Sequence, residues 1–139
     1  MHAEAVGSYY ELARELKKHG IRVGVALLQD TPVSTIAPAI DDIDHVLIFS
    51  GDLGHFGGTA QLSLLSKVTE LKKLKQNIEI GWDGGINKAN VTRLVAGGID
   101  VLNTGGAIQR AKNPETAYLE LQELALKTAP SKAWACYDE

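Results

Sequence analysis

The order in which short apolar runs and helical segments follow each other is the feature that most restricts how this chain can fold. Four short apolar runs are each followed by a turn and then by a segment with helical spacing, and the runs are IRVGVALLQ, DHVLIFS, IEIGWD and DVLNT. Short apolar runs that alternate with helices indicate parallel strands joined by right-handed crossovers. The sequence therefore predicts an α/β fold of four parallel βα units, preceded by one helix in YYELARELKKHG. IRVGVALLQ has no helical period and predicts a strand buried on both faces, and DHVLIFS is a second candidate for a buried strand.

The predicted helices have recognisable ends. Asn113 and Pro114 are typical of the N-cap and first position of the last helix. Thr31 and Asn87 are the predicted N-caps after the first and third runs. The helix after the second run alternates lysine and glutamate along residues 67–75, which predicts a solvated face.

Composition limits the class of protein. The chain has 139 residues, the size of one domain, with 45% hydrophobic and 22% charged residues. A formal net charge of −3 favours neither nucleic acid nor a membrane as a partner. No apolar run approaches the ~18 residues of a membrane span, the N-terminus lacks a secretion signal, and the single Cys136 cannot form an internal disulfide. We expect a cytoplasmic protein with a folded domain at residues 1–127 and a tail at residues 128–139.

Glycine-rich turns follow three of the predicted strands. They contain Gly57 and Gly58, Gly84 and Gly85, and Gly105 and Gly106. The carboxyl ends of parallel strands share one edge of the sheet, where α/β proteins bind ligands. Glycine lets the backbone approach an anion closely, and the helices that follow aim N–H groups at the same place. The three turns predict a phosphate site; the alternative for each pair is a tight turn without a ligand.

One acid, Asp83, stands directly before the second of these turns. By strand alternation it shares a face with Glu79 and Gly81. A carboxylate at the ligand-binding end of a strand can transfer a proton or hold a metal ion. The alternative is an aspartate that only stabilises the turn. We favour a solvated loop position for His55 over a substrate or metal contact, and a surface position for His45.

These segments together resemble the C-terminal half of the ribulose-phosphate 3-epimerase family. The similar blocks include DHVLIFSGDLGHFGGTAQLSLLSKVTELKKL, IEIGWDGGINKANVTRLVAGGIDVLNTGGAI and NPETAY, and the likeness covers about residues 1–127. HAEA, at residues 2–5, resembles the end of the family's fourth strand. The resemblance implies half of a (β/α)8 TIM barrel. It also implies the family's activity, which inverts C3 of a pentulose 5-phosphate by two-base proton transfer with the help of a divalent metal.

The resemblance also implies roles for individual residues. Asp83 matches an acid that is both catalytic and a metal ligand. The glycine turns match the loops after the family's last three strands, with Gly57 and Gly58, Gly84 and Gly85, and Gly105 and Gly106 in that order. The family's first three strands, which carry a serine, two metal-ligand histidines and a second catalytic aspartate, have no counterpart here.

Four parallel strands cannot close a barrel, and open edges with an apolar inner face favour association. We therefore expect a homodimer that completes eight strands, in which residues 1–5 are a short lead-in. The expected ligand is a phosphorylated sugar, or a phosphate or sulfate anion. One hypothesis is an epimerase or isomerase of sugar phosphates in which Asp83 transfers the proton. The alternatives are a non-catalytic sugar-phosphate-binding module and a subunit that needs a different partner chain.

Overall fold

The computed structural model describes residues 1–5, 8–51 and 58–129. Its regular elements are α1 Tyr9–Lys18, β1 Gly24–Leu27, β2 His45–Phe49, α2 Ser66–Leu74, β3 Glu79–Asp83, α3 Val91–Ala96, β4 Val101–Asn103, α4 Gly106–Gln109 and α5 Pro114–Thr128. Short 3₁₀ helices lie in the connections, at Val33–Thr35, Ala37–Asp42 and Leu62–Leu65. The predicted α/β class with parallel strands is confirmed. No helix in these ranges is both long and apolar enough to cross a bilayer.

The strands form one parallel sheet whose spatial order, β1-β2-β3-β4, follows the chain. Right-handed crossovers without a reversal of strand order place the connecting helices on the same face of the sheet. The side chains directed at that face are buried, and they include Val25, Leu27, Val46, Ile48, Ile80 and Trp82. The main core therefore lies between the sheet and its helices.

The opposite face, here called the inner face, is less covered. In register it carries Gly24, His45 and Glu79, then Ala26, Leu47, Gly81 and Val101, then Phe49, Asp83 and Asn103. The expectation of strands buried on both faces is wrong for β2, because Leu47 and Phe49 are only half-buried. His45, expected at the surface, begins β2 with a side chain 25% exposed, and its Nδ1 lies 2.8 Å from Glu79 Oε1.

The helix starts were only partly predicted. Asn113 caps α5 as expected, because its Oδ1 accepts from Thr116 N–H at 3.1 Å. The short helix expected after Thr31 is present as two 3₁₀ helices, but Thr31 does not cap them. Asn87 makes the contacts predicted for an N-cap, although the regular part of α3 begins at Val91: its carbonyl oxygen accepts from Val91 N–H at 3.0 Å and its Oδ1 accepts from Ala89 N–H at 2.9 Å.

The expectation of a solvated face along residues 67–75 is wrong at two lysines of this segment. Lys67 is only 7% exposed. Its Nζ donates to the carbonyl oxygens of Leu28 at 2.7 Å and Thr31 at 2.8 Å. Lys75 Nζ donates to Ile43 O at 2.7 Å. These ammonium groups connect α2 and the residue after it to backbone near β1 and β2.

The N-terminal residues lie along the outer edge of β1. His2 pairs in parallel with Ala26 as a single bridge. Ala3 N–H donates to Ala26 O at 2.9 Å, and Ala26 N–H donates to Met1 O at 2.8 Å. The segment expected to be a lead-in thus hydrogen-bonds to the sheet edge. Most of the predicted tail, residues 130–139, lies outside the described residues.

Candidate functional site

A cavity of about 410 Å³ opens where β2, β3 and β4 end. Its lining includes the predicted site residues Gly58, Asp83, Gly84, Gly85, Gly105 and Gly106. It also includes Phe49, Gly51, Ile86, Asn87, Asn103, Ala107, Arg110 and Ala111. Gly57, the remaining predicted residue, lies outside the described residues. The strand register thus brings two complete glycine pairs and the acid to one place.

Asp83 is the last residue of β3 and lies on the inner face between Phe49 and Asn103. Burial raises the pKa of its carboxyl above the ordinary value, and a hydrogen bond from Gly84 N–H opposes this rise only in part. That bond is the interaction expected of a turn aspartate. A raised pKa in a cleft also favours proton transfer by a carboxyl, because it brings the pKa closer to neutral pH. The geometry is therefore compatible with both roles considered for Asp83.

Gly84 and Gly85 form a turn that other residues could not easily adopt. Their φ angles are +109° and +69°, in the region that favours glycine. A β-carbon on Gly84 would lie 2.5 Å from Gly51 N, and one on Gly85 would lie 2.8 Å from Ala60 Cα. The pair therefore packs against both ends of the loop after β2, and it has a structural role whether or not a ligand binds.

Buried polar contacts fix the loop ends that form the cavity rim. Ser50, 1% exposed, donates its N–H to Asp83 O at 2.7 Å. Its Oγ accepts from Gln61 N–H at 2.7 Å. Gln29 Nε2 donates to Gly51 O at 3.0 Å. The backbone on either side of residues 52–57 is thereby held against β1 and β3.

The Gly105–Gly106 turn joins β4 to α4, and the side chain of Arg110 lies over it. A β-carbon on Gly106 would lie 2.8 Å from Arg110 Cζ. Arg110, Phe49 and Asn103 also line the cavity and were not predicted from the sequence. The available signals were the spacing of four residues from Gly106, which puts Arg110 one helical turn further on, and the strand register.

The divalent metal implied by the resemblance is not matched by the residues that the structure describes. They contain no group of three or more His, Cys, Asp or Glu side chains placed to hold a metal. Within the described lining, Asp83 is the one side chain of these types. Asp52 and His55 lie outside the described residues.

The strand order of this parallel sheet follows the chain, and the cavity lies at the carboxyl ends of the strands. This is the arrangement of βα units found in α/β barrels. Solved structures support this class. The 3-hexulose-6-phosphate synthase of Salmonella typhimurium matches 92% of this chain and 61% of its own, with a TM-score of 0.69 and 18% identity. A thiamine phosphate pyrophosphorylase from Pyrococcus furiosus matches 94% and 59%, with a TM-score of 0.64 and 21% identity. The described fold is half of a (β/α)8 TIM barrel.

The model of the ribulose-phosphate 3 epimerase family matches residues 1–109. The ribulose-phosphate 3-epimerase of Schizosaccharomyces pombe is 29% identical over 133 residues, 96% of this chain, and that of Bacillus subtilis is 31% identical over 128 residues, 88% of this chain. The chain belongs to the ribulose-phosphate 3-epimerase family, so the resemblance seen in its motifs is confirmed. It spans 58% of the length of each of these relatives.

Proposed function

We propose that this protein binds a phosphorylated sugar in the cavity at the ends of β2, β3 and β4. The proposed chemistry is epimerisation or isomerisation, with proton transfer by Asp83. The observation that carries the proposal is the position of Asp83, whose pKa is raised by burial, in the same cavity as two glycine turns. The cavity, at about 410 Å³, lies within the ~300–1,000 Å³ typical of small-molecule sites. The names of the family relatives support a pentulose phosphate as the ligand.

The glycine turns are the proposed place of the phosphate group. Gly84 and Gly85 follow β3, and Gly105 and Gly106 follow β4, so both turns expose backbone at one rim of the cavity. Without a β-carbon, each can approach phosphate oxygens closely. A phosphate held there leaves the carbon chain of the sugar on the side of Asp83.

Inversion of a carbon centre requires a base on one face and an acid on the other. The described lining residues supply one carboxyl, that of Asp83. We propose that a second copy of the chain covers the inner face, where Leu47 and Phe49 are half-buried, and brings a second acid to the shared site. Pairing of one copy's β4 with the other copy's β1 would displace residues 1–3 from the edge that they occupy. The homodimer must therefore exchange that single bridge for strand pairing.

The single described carboxyl also favours a second candidate function, a module that binds a sugar phosphate without turning it over. A variant of this candidate is a subunit whose acid comes from a different partner chain. In both cases the ligand and its cavity are the same, and catalysis by the 139-residue chain alone is absent.

Solvent exchange separates these functions. Ribulose 5-phosphate in D₂O is followed by proton NMR with the wild type, Asp83→Asn and Asp41→Asn, the last being an exposed acid outside the cavity. An enzyme exchanges the C3 proton, loses about 100-fold or more of that rate in Asp83→Asn, and keeps it in Asp41→Asn. Binding without exchange in the wild type favours the module. The absence of both binding and exchange overturns the proposal. Sedimentation of the same samples gives the mass, and a monomer that catalyses exchange contradicts the shared site.

A further inference from the structure

The guanidinium of Arg110 lies against the α-carbon of Gly106, in the space that a β-carbon on residue 106 would occupy. A β-carbon on Gly106 would lie 2.8 Å from Arg110 Cζ and 2.9 Å from Nη1. Gly106 is the first residue of α4 and is not among the glycines with positive φ. Its backbone therefore does not require glycine, and the space left for the guanidinium is the reason that the structure offers for a glycine there.

Among the described lining residues, Arg110 is the one cation and Asp83 is the one acid. The two side chains belong to different elements: Asp83 is the last residue of β3, and Arg110 is the first residue after α4. A planar guanidinium presents paired N–H donors that match the oxygens of a phosphate. The cavity thus has a cationic end beside the Gly105–Gly106 turn and an acidic end at Asp83.

We propose that Arg110 is the side-chain ligand of the anionic group, and that it makes this cavity select phosphate monoesters over neutral sugars. Contact with Arg110 orients the ligand, because the phosphate lies at the Gly105–Gly106 turn and the sugar carbons extend toward Asp83. This inference rests on the proposed sugar-phosphate site and adds the residue that gives it charge selectivity.

Binding of inorganic phosphate, ribose 5-phosphate and neutral ribose to the 139-residue chain tests the inference. The readout is ¹H–¹⁵N NMR titration, in which the amide signals of Gly105 and Gly106 report the location. We expect Arg110→Gln to weaken both phosphates by about tenfold. Lys112→Gln removes an equal charge from an exposed position outside the cavity lining, and it should change affinity by less than about twofold. Ribose should bind weakly and equally to all three proteins.

Gly106→Ala provides a second test that leaves the charge in place. Its added methyl group moves the guanidinium away from the turn, so we expect a several-fold loss of phosphate affinity. In the Arg110→Gln background the same substitution has no guanidinium to move and should add little. Such non-additivity is the mark of two residues that act through one contact.

The outcomes distinguish this inference from the function on which it rests. Failure of the wild type to bind either phosphate overturns both. Wild-type binding that Arg110→Gln leaves unchanged overturns the role of Arg110 and keeps the phosphate site. Equal losses in Arg110→Gln and Lys112→Gln reduce the effect to net charge and also overturn the inference. A loss confined to Arg110→Gln and Gly106→Ala supports it.

Discussion

The imidazole of His45 lies over the α-carbon of Gly81 on the neighbouring strand of the inner face. A β-carbon on Gly81 would lie 2.8 Å from both Cε1 and Nε2 of His45, and 2.9 Å from Leu47 Cδ1. Glu79, two residues earlier on β3, holds the ring by its Nδ1 at 2.8 Å. Because Gly81 has no β-carbon, the ring of His45, bonded to Glu79, can occupy this space.

We expect Gly81→Ala to lower the free energy of unfolding by about 1–3 kcal/mol through overpacking. Urea denaturation measures the loss. Gly24→Ala is the matched control, because a β-carbon there meets the same ring at an ordinary 3.6 Å. His45→Ala in the Gly81→Ala background should restore part of the loss. Equal costs for the two glycine variants would show that the ring does not fill this space.

Gly85, in the turn after β3, and Gly20, after α1, have similar backbone conformations but should differ in how much an alanine substitution lowers stability. Gly20 and Gly85 have φ angles of +71° and +69°. A β-carbon on Gly20 meets nothing within 4 Å, whereas one on Gly85 overlaps the backbone of Thr59 and Ala60. Gly20→Ala should cost only the left-handed strain, about 1 kcal/mol. Gly85→Ala should cost clearly more and should disturb the cavity rim, as measured by thermal unfolding and by amide shifts of Ala60. Similar melting temperatures for the two variants would contradict the packing described for Gly85.

The strands and the glycine turns could be predicted because their signals are local. An apolar run such as the one before Asp83 restricts the chain to a buried strand, and the following Gly84 and Gly85 restrict the turn. Parallel pairing then placed the turns at one edge. The cap at Asn87 could be predicted for the same reason, because its Oδ1 bonds to the N–H of Ala89, only two residues further along the chain.

Lys67 and Arg110 show what local patterns cannot supply. From the sequence, Lys67 is predicted to lie on a charged helix face. Its burial depends instead on a hydrogen bond to the carbonyl of Leu28, 39 residues away in the chain. Arg110 follows a helix of only four residues, too short for a periodic pattern. Its place in the cavity depends on the space left by Gly106, which is visible only once the turn has its three-dimensional form.

Lys67→Met should lower the free energy of unfolding by about 1–3 kcal/mol, because Thr31 O and Leu28 O lose their ammonium donor. The measurement is urea denaturation. Lys73→Met, at an exposed position of the same helix, is the control and should change stability by less than about 0.5 kcal/mol. If Lys67→Met left the free energy of unfolding unchanged, water would have to replace the ammonium donor without cost.

Asp83 predicts an unusual dependence of stability on pH. Burial raises the pKa of its carboxyl in the folded protein above the ordinary 3.8. The folded state then binds more protons than the unfolded state between 3.8 and the raised pKa. The contribution of Asp83 to stability is therefore fully present below pH 3.8 and is lost as pH rises through the folded-state pKa.

The test compares the wild type with Asp83→Asn by urea denaturation over a range of acidic pH. The stability of the wild type relative to the variant should fall as pH rises, because asparagine imitates the protonated carboxyl at every pH. Asp44→Asn gives the opposite slope: despite burial, the Lys17 ammonium and Val23 N–H lower the pKa of Asp44, so its contribution is lost as pH falls. A wild-type advantage over Asp83→Asn that grows with pH would mean that hydrogen bonding outweighs burial at Asp83. In that case the carboxyl would be poorly suited to transfer a proton near neutral pH.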